Sequence, residues 1–377
     1  MFELDIEKQI NLRRQQSLFR QRYVRASPVA PFVNVDGQAY LSFSSNDYLG
    51  LANHPKMVEA FKRGIDCYGV GSGASALLGG YCTAHALLEE ELAEFMQYPR
   101  CVLFPSGYMA NLAIINLLAP YVEQIVLDKW VHASIIDACV STSIPFRRYR
   151  HQAIDHARRL LDKKSLLITE GVFSMAGDCC LLDEIVALKK EKNTCLLIDD
   201  VHGIGVMGER GGGVVEGKQL SVDIVSGGFG KAFGTAGGFV VGSEIMMEGL
   251  IQFGRPYVYT TSAPPALIEA TRQSLQLIQS EGWRRDKLKM LIAYFQKCAK
   301  QLAIEVTPAS TPIQSMMFRD EKLTMNKFNL LKEKGIWVGA VRPPTVPPRQ
   351  AMLRISLTAN HECEHIDRLF SALTEST

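Results

Sequence analysis

With 377 residues, 47% of them apolar and 21% charged, the chain is long enough for two cores or for one large α/β domain with a smaller one appended. Its 41 basic and 39 acidic residues leave a net charge of +2 with no long run of one sign, which argues against a nucleic-acid or membrane-surface partner. The nine cysteines (Cys67, Cys82, Cys101, Cys139, Cys179, Cys180, Cys195, Cys298 and Cys363) contain no CxxC pair and form no Cys/His cluster at ligand spacing, so no metal site is expected and a reducing compartment, the cytoplasm, is.

The first 23 residues, MFELDIEKQINLRRQQSLFRQRY, put acids ahead of arginines as an amphipathic surface helix does, and contradict a signal or transit peptide. FVNVDG and AYLSFSS predict two short strands with Asp36-Gly37 as the turn between them. From about residue 55 to residue 245, apolar runs alternate with segments of helical periodicity. CVLFPSG, QIVLDK, SLLITEG, TCLLIDD, DIVSGG and GGFVVGS are the strand candidates, and ANLAIINLLAPYV, IDHARRLLDKK and LDEIVALKKEKN are among the helices. Strands apolar on both faces, each followed by a helix, imply a mainly parallel sheet covered by helices.

A long helical stretch from residue 263 to residue 302 then leads to strand candidates IQSMMFR, GIWVGAV and AMLRISLT and a last helix, HECEHIDRLFSALTES, without regular alternation. The expected organisation is an N-terminal helix with short strands over 1–45, a large α/β domain over 46–255 and a smaller α+β domain over 256–377. No run of about 18 apolar residues is present to span a bilayer.

Ligands of open α/β sheets collect beyond the carboxyl ends of the strands. There LLI runs into Asp199, Asp200 and His202; LLIT into Glu170 and Ser174; IVL into Asp128 and His132; VLF into Ser106, Gly107 and Tyr108; and DIVSGG into Lys231. Each has a plainer use when taken alone: a strand-end carboxylate caps helices, a histidine satisfies a core, a lysine beside glycines is solvated. As a set on one rim they are harder to dismiss.

GVGSGAS follows no clear strand, and GGFGKA has Val225 and Ala232 where a P-loop needs glycine and a hydroxyl, so nucleotide binding is not supported. Glycines around Lys231 instead let something bulky approach the backbone. One chemistry uses a lysine, an acid, a flat stacking ring and phosphate donors together: that of pyridoxal phosphate. The lysine holds the cofactor as a Schiff base, the carboxylate keeps the pyridine nitrogen protonated, an imidazole stacks on the ring and helix-start N–H groups take the phosphate.

In order and spacing, DDVHG, FGKAFG, FPSGYMAN, TEGVFSMAGD and SFSSNDYLGL resemble the α-oxoamine synthases, fold-type I pyridoxal-phosphate enzymes, over nearly the whole chain. The resemblance implies a large domain with a seven-stranded, mainly parallel sheet and a smaller α+β domain. It also implies that Lys231 carries the cofactor, Asp199 pairs with the pyridine nitrogen, His202 contacts the phenolic oxygen, His132 stacks on the ring and Ser174 supports the constellation. Gly107 and Tyr108 would lie at the phosphate end, with Thr261 reaching the phosphate from the other subunit of a homodimer. Arg354 would grip the amino-acid carboxylate, and Asn46 and Arg20 would lie near the substrates, Arg20 toward the acyl chain's far carboxylate.

The run AVRPPTVPPRQAMLRISLTANHE looks most like the branch that joins L-alanine to a pimeloyl thioester of CoA or an acyl carrier protein. Branches that use glycine, such as glycine C-acetyltransferase and 5-aminolevulinate synthase, and a non-catalytic partner subunit are the alternatives. Two departures bear on detail. Gly228 stands where the family has Thr or Ser donating to the phosphate, with Ser226 as a replacement donor. Ala76 and Gly79 stand where several relatives have arginine and serine.

Overall fold

The structure, a computed structural model, describes residues 2–16, 18–162 and 164–374. Parts of the expected first and last helices (Met1, Ser17 and 375–377) lie outside the described residues, as does Lys163. By compactness the chain divides into two units, one of residues 1–45, 175–177 and 287–377 and one of residues 46–174 and 178–286.

The first unit begins with a helix, Phe2–Gln15, that buries none of its side chains. β1 (Phe32–Val35) and β2 (Gln38–Ser42) then pair antiparallel around Asp36 and Gly37, at φ 48° and 80°. Two consecutive positive φ values are what a two-residue hairpin needs to match the strands' right-handed twist.

The second unit holds the expected seven-stranded sheet. Its strands are β3 (Arg100–Phe104), β4 (Gln124–Asp128), β5 (Phe146–Tyr149), β6 (Ser165–Glu170), β7 (Cys195–Asp199), β8 (Ile224–Gly228) and β9 (Gly238–Gly242), in the order β3-β9-β8-β7-β6-β4-β5. β9 runs antiparallel to both neighbours and every other pairing is parallel. Ile125, Val126 and Leu127 of β4 are all fully buried, the pattern of a strand covered on both faces. β5 has no apolar run: it is one of the two edge strands, Arg147 and Arg148 are exposed, and periodicity alone does not reveal it.

Helix Pro265–Ser280 lies along helix Pro55–Tyr68, so close that a methyl on Gly64 would meet Ala266 Cα at 2.6 Å. This packing puts 256–286 with the second unit, so the segment expected as one domain from 256 is divided at 286. The long helical stretch itself breaks at Glu281-Gly282, between Pro265–Ser280 and Trp283–Gln301.

In the first unit β10 (Ile313–Met317) follows, then β11 (Ile336–Trp337), β12 (Gly339–Val341) and β13 (Met352–Ser356). β11 adds parallel to β2, whereas β10 and β12 flank β13 antiparallel, so the run GIWVGAV serves two sheets and breaks at Val338. Helix Cys363–Thr374 closes the described chain. Among the described residues no helix is long and apolar enough to cross a membrane.

Strand register gathers the polar residues at one edge of the large sheet. Glu170 of β6 is level with Asp199 of β7, and Asp199 with Ser226 of β8, so both acids and the loop leading to Lys231 emerge together there. β9 presses against the start of helix Gly107–Leu118 on that same edge, where a methyl on Gly238 would sit 2.5 Å from the backbone nitrogen of Gly107. Gly238→Ala is therefore expected to cost about 1–3 kcal/mol through overpacking. Urea unfolding of the cofactor-free protein measures it, and an unchanged midpoint would show that the helix start yields without cost.

Candidate active site

Beyond the carboxyl ends of β4, β6, β7 and β8 lies a cavity of about 200 Å³. Gly107, Tyr108, His132, Ser174, Asp199, His202 and Lys231, singled out from sequence, all line it. Alternation along the strand end separates the two neighbouring acids. Asp199 faces the cavity, while Asp200 turns away, accepts the N–H of Val214 at 2.7 Å and fills space that Gly171, Gly203 and Gly213 leave by lacking a Cβ.

Asp199 is only 5% exposed, and what holds it is a residue the sequence reading missed. Asn111, on helix Gly107–Leu118, donates its amide to Asp199 Oδ2 at 2.6 Å and to Ser134 Oγ at 2.9 Å. Its carbonyl oxygen accepts from Ser226 Oγ at 2.7 Å. Ser226 is thus committed to this network and does not stand in for the hydroxyl absent at Gly228. Ser134 Oγ, already accepting from Asn111, lies 2.8 Å from His132 Nδ1, which also accepts the N–H of Ser134 at 3.2 Å. That makes Nδ1 the bare nitrogen, with the proton on Nε2.

Burial pushes the Asp199 carboxyl up; the Asn111 amide, His132, the N–H of Val201 and the positive charge of Lys231 all work against that rise. Glu170, one strand over, is pushed well above the usual range by burial and then by the charge of Asp199, although the backbone N–H groups of Ser174 and His132 oppose this. Burial and the neighbouring charge thus favour the neutral form of Glu170, while Asp199, with the Asn111 amide and the charge of Lys231 beside it, is the better placed of the two to be the anion.

His202 is buried, with Nδ1 2.7 Å from the hydroxyl of Tyr48. Tyr48 Oη also donates to Asn46 Oδ1 at 3.3 Å. Tyr48 was not singled out from sequence although it stands inside the SFSSNDYLGL motif, because an aromatic there reads as core, and it is indeed fully buried.

The glycines around Lys231 have two uses. Gly227 and Gly238 are filled by protein, the Phe239 ring and the helix start at Gly107, while Gly228, Gly230 and Gly237 line the cavity, although an added Cβ at Gly228 or Gly237 would also meet Val201 at 3.0 Å or the Phe229 ring at 2.9 Å. At Gly230 the nearest atom to an added Cβ is 3.9 Å away. Room for a bulky ligand is thus confined to part of the segment.

The remaining sequence candidates are not among the residues that line this cavity. Arg354, on β13, and Arg20 belong to the first unit, where Arg354 Nη1 donates to Ser356 Oγ at 2.9 Å and Arg20 Nη2 to Thr345 Oγ1 at 3.1 Å. Thr261 is exposed, pairs with Ser75 in a β-bridge and borders a separate small cavity with Tyr81, His85 and Glu89. Within one chain it does not line the Lys231 cavity.

The chemistry of this donor set fits pyridoxal phosphate. A buried carboxylate aimed into a cavity calls for a cationic N–H. Helix Gly107–Leu118 starts at the cavity with Ser106 capping only the N–H of Met109, at 3.2 Å, so earlier N–H groups can meet an anion. Lys231 supplies the amine.

Residues 38–373 match the family described as aminotransferase class I and II. The 8-amino-7-oxononanoate synthase of Stutzerimonas stutzeri is 45% identical to this chain over 98% of it and 96% of its own length. That of Saccharophagus degradans is 43% identical over 99% and 96%. Among solved structures, a serine palmitoyltransferase from S. paucimobilis superimposes with a TM-score of 0.93 at 27% identity, covering 99% of this chain and 96% of that one. An 8-amino-7-oxononanoate synthase from Francisella tularensis gives 0.79 at 32%, covering 89% and 97%.

Asn111→Ala removes three hydrogen bonds at once and leaves Asp199 and Ser226 buried with fewer partners. A loss of about 1–3 kcal/mol is expected in urea unfolding of the cofactor-free protein, and a change below about 0.5 kcal/mol would mean that water replaces the amide.

Proposed function

This chain belongs to the 8-amino-7-oxononanoate synthases of the aminotransferase class I and II family, pyridoxal-phosphate-dependent acyltransferases, and from that premise we propose that it joins L-alanine to a pimeloyl thioester. The balance is L-alanine plus pimeloyl thioester giving 8-amino-7-oxononanoate, CO2 and the free thiol. The observation that carries the reading is the placement of Lys231 in one cavity with the Asp199–Asn111–Ser134–His132 network.

Bound pyridoxal phosphate supplies the electron sink for the pair of electrons left on the amino acid's α carbon. Asp199 keeps a proton on the ring nitrogen, and Asn111 and Val201 hold its carboxylate toward the cavity. His202, oriented by Tyr48, serves the phenolic oxygen. His132, its ring fixed through Nδ1, would stack on the cofactor, and Ser174 would support the same group. The N–H groups of Gly107 and Tyr108 receive the phosphate. Lys231 would hold the cofactor through Nζ and, when its amine is free, would take the α-proton of alanine and return one to the same carbon. Arg354 binds the alanine carboxylate, and Asn46 and Arg20 face the substrates, Arg20 the far carboxylate of the acyl chain.

We place Thr261 at the phosphate of a neighbouring subunit in a homodimer, consistent with its exposed position away from its own chain's cavity. The nine cysteines, all free, suit a cytoplasmic enzyme.

Lys231→Ala is expected to lose at least about 10³-fold in turnover and the visible absorption of the bound cofactor. Near-normal turnover would overturn the assignment, and a preference for glycine over L-alanine in the wild type would move the chain to a glycine-using branch. The shared site is tested by mixing: Lys231→Ala and Thr261→Glu chains, each inactive alone, are expected to regain activity after subunit exchange, because one site of the mixed dimer is intact. No gain would show that each chain builds its site alone.

A further inference from the structure

His151 stands just past the end of β5, where Tyr149 is level with Asp128 of β4, and it does not line the cofactor cavity. Its two ring nitrogens face two carboxylates: Nδ1 is 3.0 Å from Asp128 Oδ1 and Nε2 is 2.7 Å from Asp178 Oδ2. Carboxylate oxygens only accept, so satisfying both contacts takes a proton on each nitrogen, an imidazolium. The ring is enclosed as a cation would be, stacked on Trp130 at 3.8 Å and met edge-on by Phe173 at 4.4 Å.

The contacts belong to two loops. Asp128 also accepts the N–H of Trp130 at 2.8 Å and that of Gln152 at 2.9 Å. On the other loop, Gln152 donates to Asp178 and, at 2.9 Å, to the carbonyl of Cys179. Phe173 N–H bonds the carbonyl of Asp178 at 2.9 Å, and Val172 bridges Cys179, so 171–180 is a closed loop. Trp130 lies two residues before His132 and Phe173 one residue before Ser174.

The geometry points to His151 as a positioning residue: bridging Asp128 and Asp178, it locks the loop that carries His132 to the loop that carries Ser174, and so sets the affinity for the cofactor. Without its charge two partly or fully buried carboxylates are left opposed, and one oxygen of Asp178 already has no hydrogen-bond partner. Repulsion then drives the loops apart. Burial works against the charge on His151, but the hydrogen bonds to Asp128 and Asp178, and their charges, outweigh it and raise the imidazole to about 9. Of the other titratable groups beside Asp128, Tyr149 and Cys180 are pushed up by burial and then by neighbouring acids, and stay neutral in this range. Glu170 is pushed up by burial and then by the charge of Asp199, and the flanking cations Lys129 and Arg150 are exposed. Because the folded value lies above the ordinary one, the stabilisation is present at neutral pH and is lost as pH rises through about 9.

The inference rests on His132 and Ser174 as cofactor contacts, and the experiment separates the two. Pyridoxal phosphate affinity is measured by absorbance titration from pH 7 to pH 10 for the wild type, His151→Phe, His132→Ala and Ser174→Ala, alongside the melting temperature of each cofactor-free protein. Phenylalanine keeps the stacking on Trp130 and loses both bonds. His151→Phe is expected to raise Kd at least tenfold at pH 7.5, with the variant-to-wild-type ratio shrinking toward one by pH 10, since titrations common to both proteins cancel in the ratio. A lowered melting temperature with unchanged Kd would make His151 merely structural and overturn the proposal, as would a ratio independent of pH. If His132→Ala and Ser174→Ala both leave Kd unchanged, the cofactor-contact reading fails instead. Should His151→Phe not fold, Asp178→Asn carries the same test, with an expected threefold or larger rise in Kd, and an unchanged Kd overturns the bridge.

Discussion

A carboxylate taken out of water at a strand end has to be met by donors or by a cation, and the arrangement around Asp199 follows from that requirement. Its partners come from three directions: an amide from helix Gly107–Leu118, a backbone N–H from its own turn, and the more distant charge of Lys231. The amide is itself fixed by two hydroxyls, one on β8 and one on the helix that His132 caps. Moving any of these elements would leave a buried polar group without its partner, so the need to satisfy one carboxylate aligns the helix start, the β8 end and the His132 ring around a single cavity.

Two acids side by side at that edge cannot both ionise cheaply. Level with each other on adjacent strands, Glu170 and Asp199 divide the roles by environment: both are buried, but Asp199 has the side-chain amide and the charge of Lys231, while Glu170 has only backbone donors and the charge of Asp199 against it. The His151 cluster solves the mirror problem, in which two carboxylates share one imidazolium. The loops on that side of the cavity are joined by charge, whereas the Lys231 side is joined by close packing of backbone, with Gly227 and Gly238 giving up side chains so that Phe239 and the helix start can fill the space.

Much of this was legible in the residues. Buried parallel strands are long apolar runs, so six of the seven strands of the large sheet stood out, as did the acids, histidines and lysine beyond their ends. β5 did not, because two of its four residues are the exposed Arg147 and Arg148, which leaves it no apolar run. Asn111, Ser134 and Tyr48 were missed for a different reason: Asn111 and Tyr48 lie inside the motifs FPSGYMAN and SFSSNDYLGL, but each of the three sits in an apolar or turn segment where its type has an ordinary structural use, and its partners are far away along the chain. His151 likewise reads as one more polar residue in a basic stretch until Asp128 and Asp178, 23 and 27 positions away, are brought to its two nitrogens.

By itself the sequence determined the alternation that makes a parallel sheet, the set of chemistry-bearing residues at its carboxyl edge and the lysine among glycines, because periodicity and composition are local properties. Tertiary structure alone decided which of two neighbouring aspartates faces the cavity, which carboxyl is pushed toward its neutral form, which glycines leave room for a ligand and which are filled by protein, and where the chain divides between units. Those are questions of desolvation and of contact between residues far apart along the chain, and both come into being only when the strands are in register and the helices have closed over them.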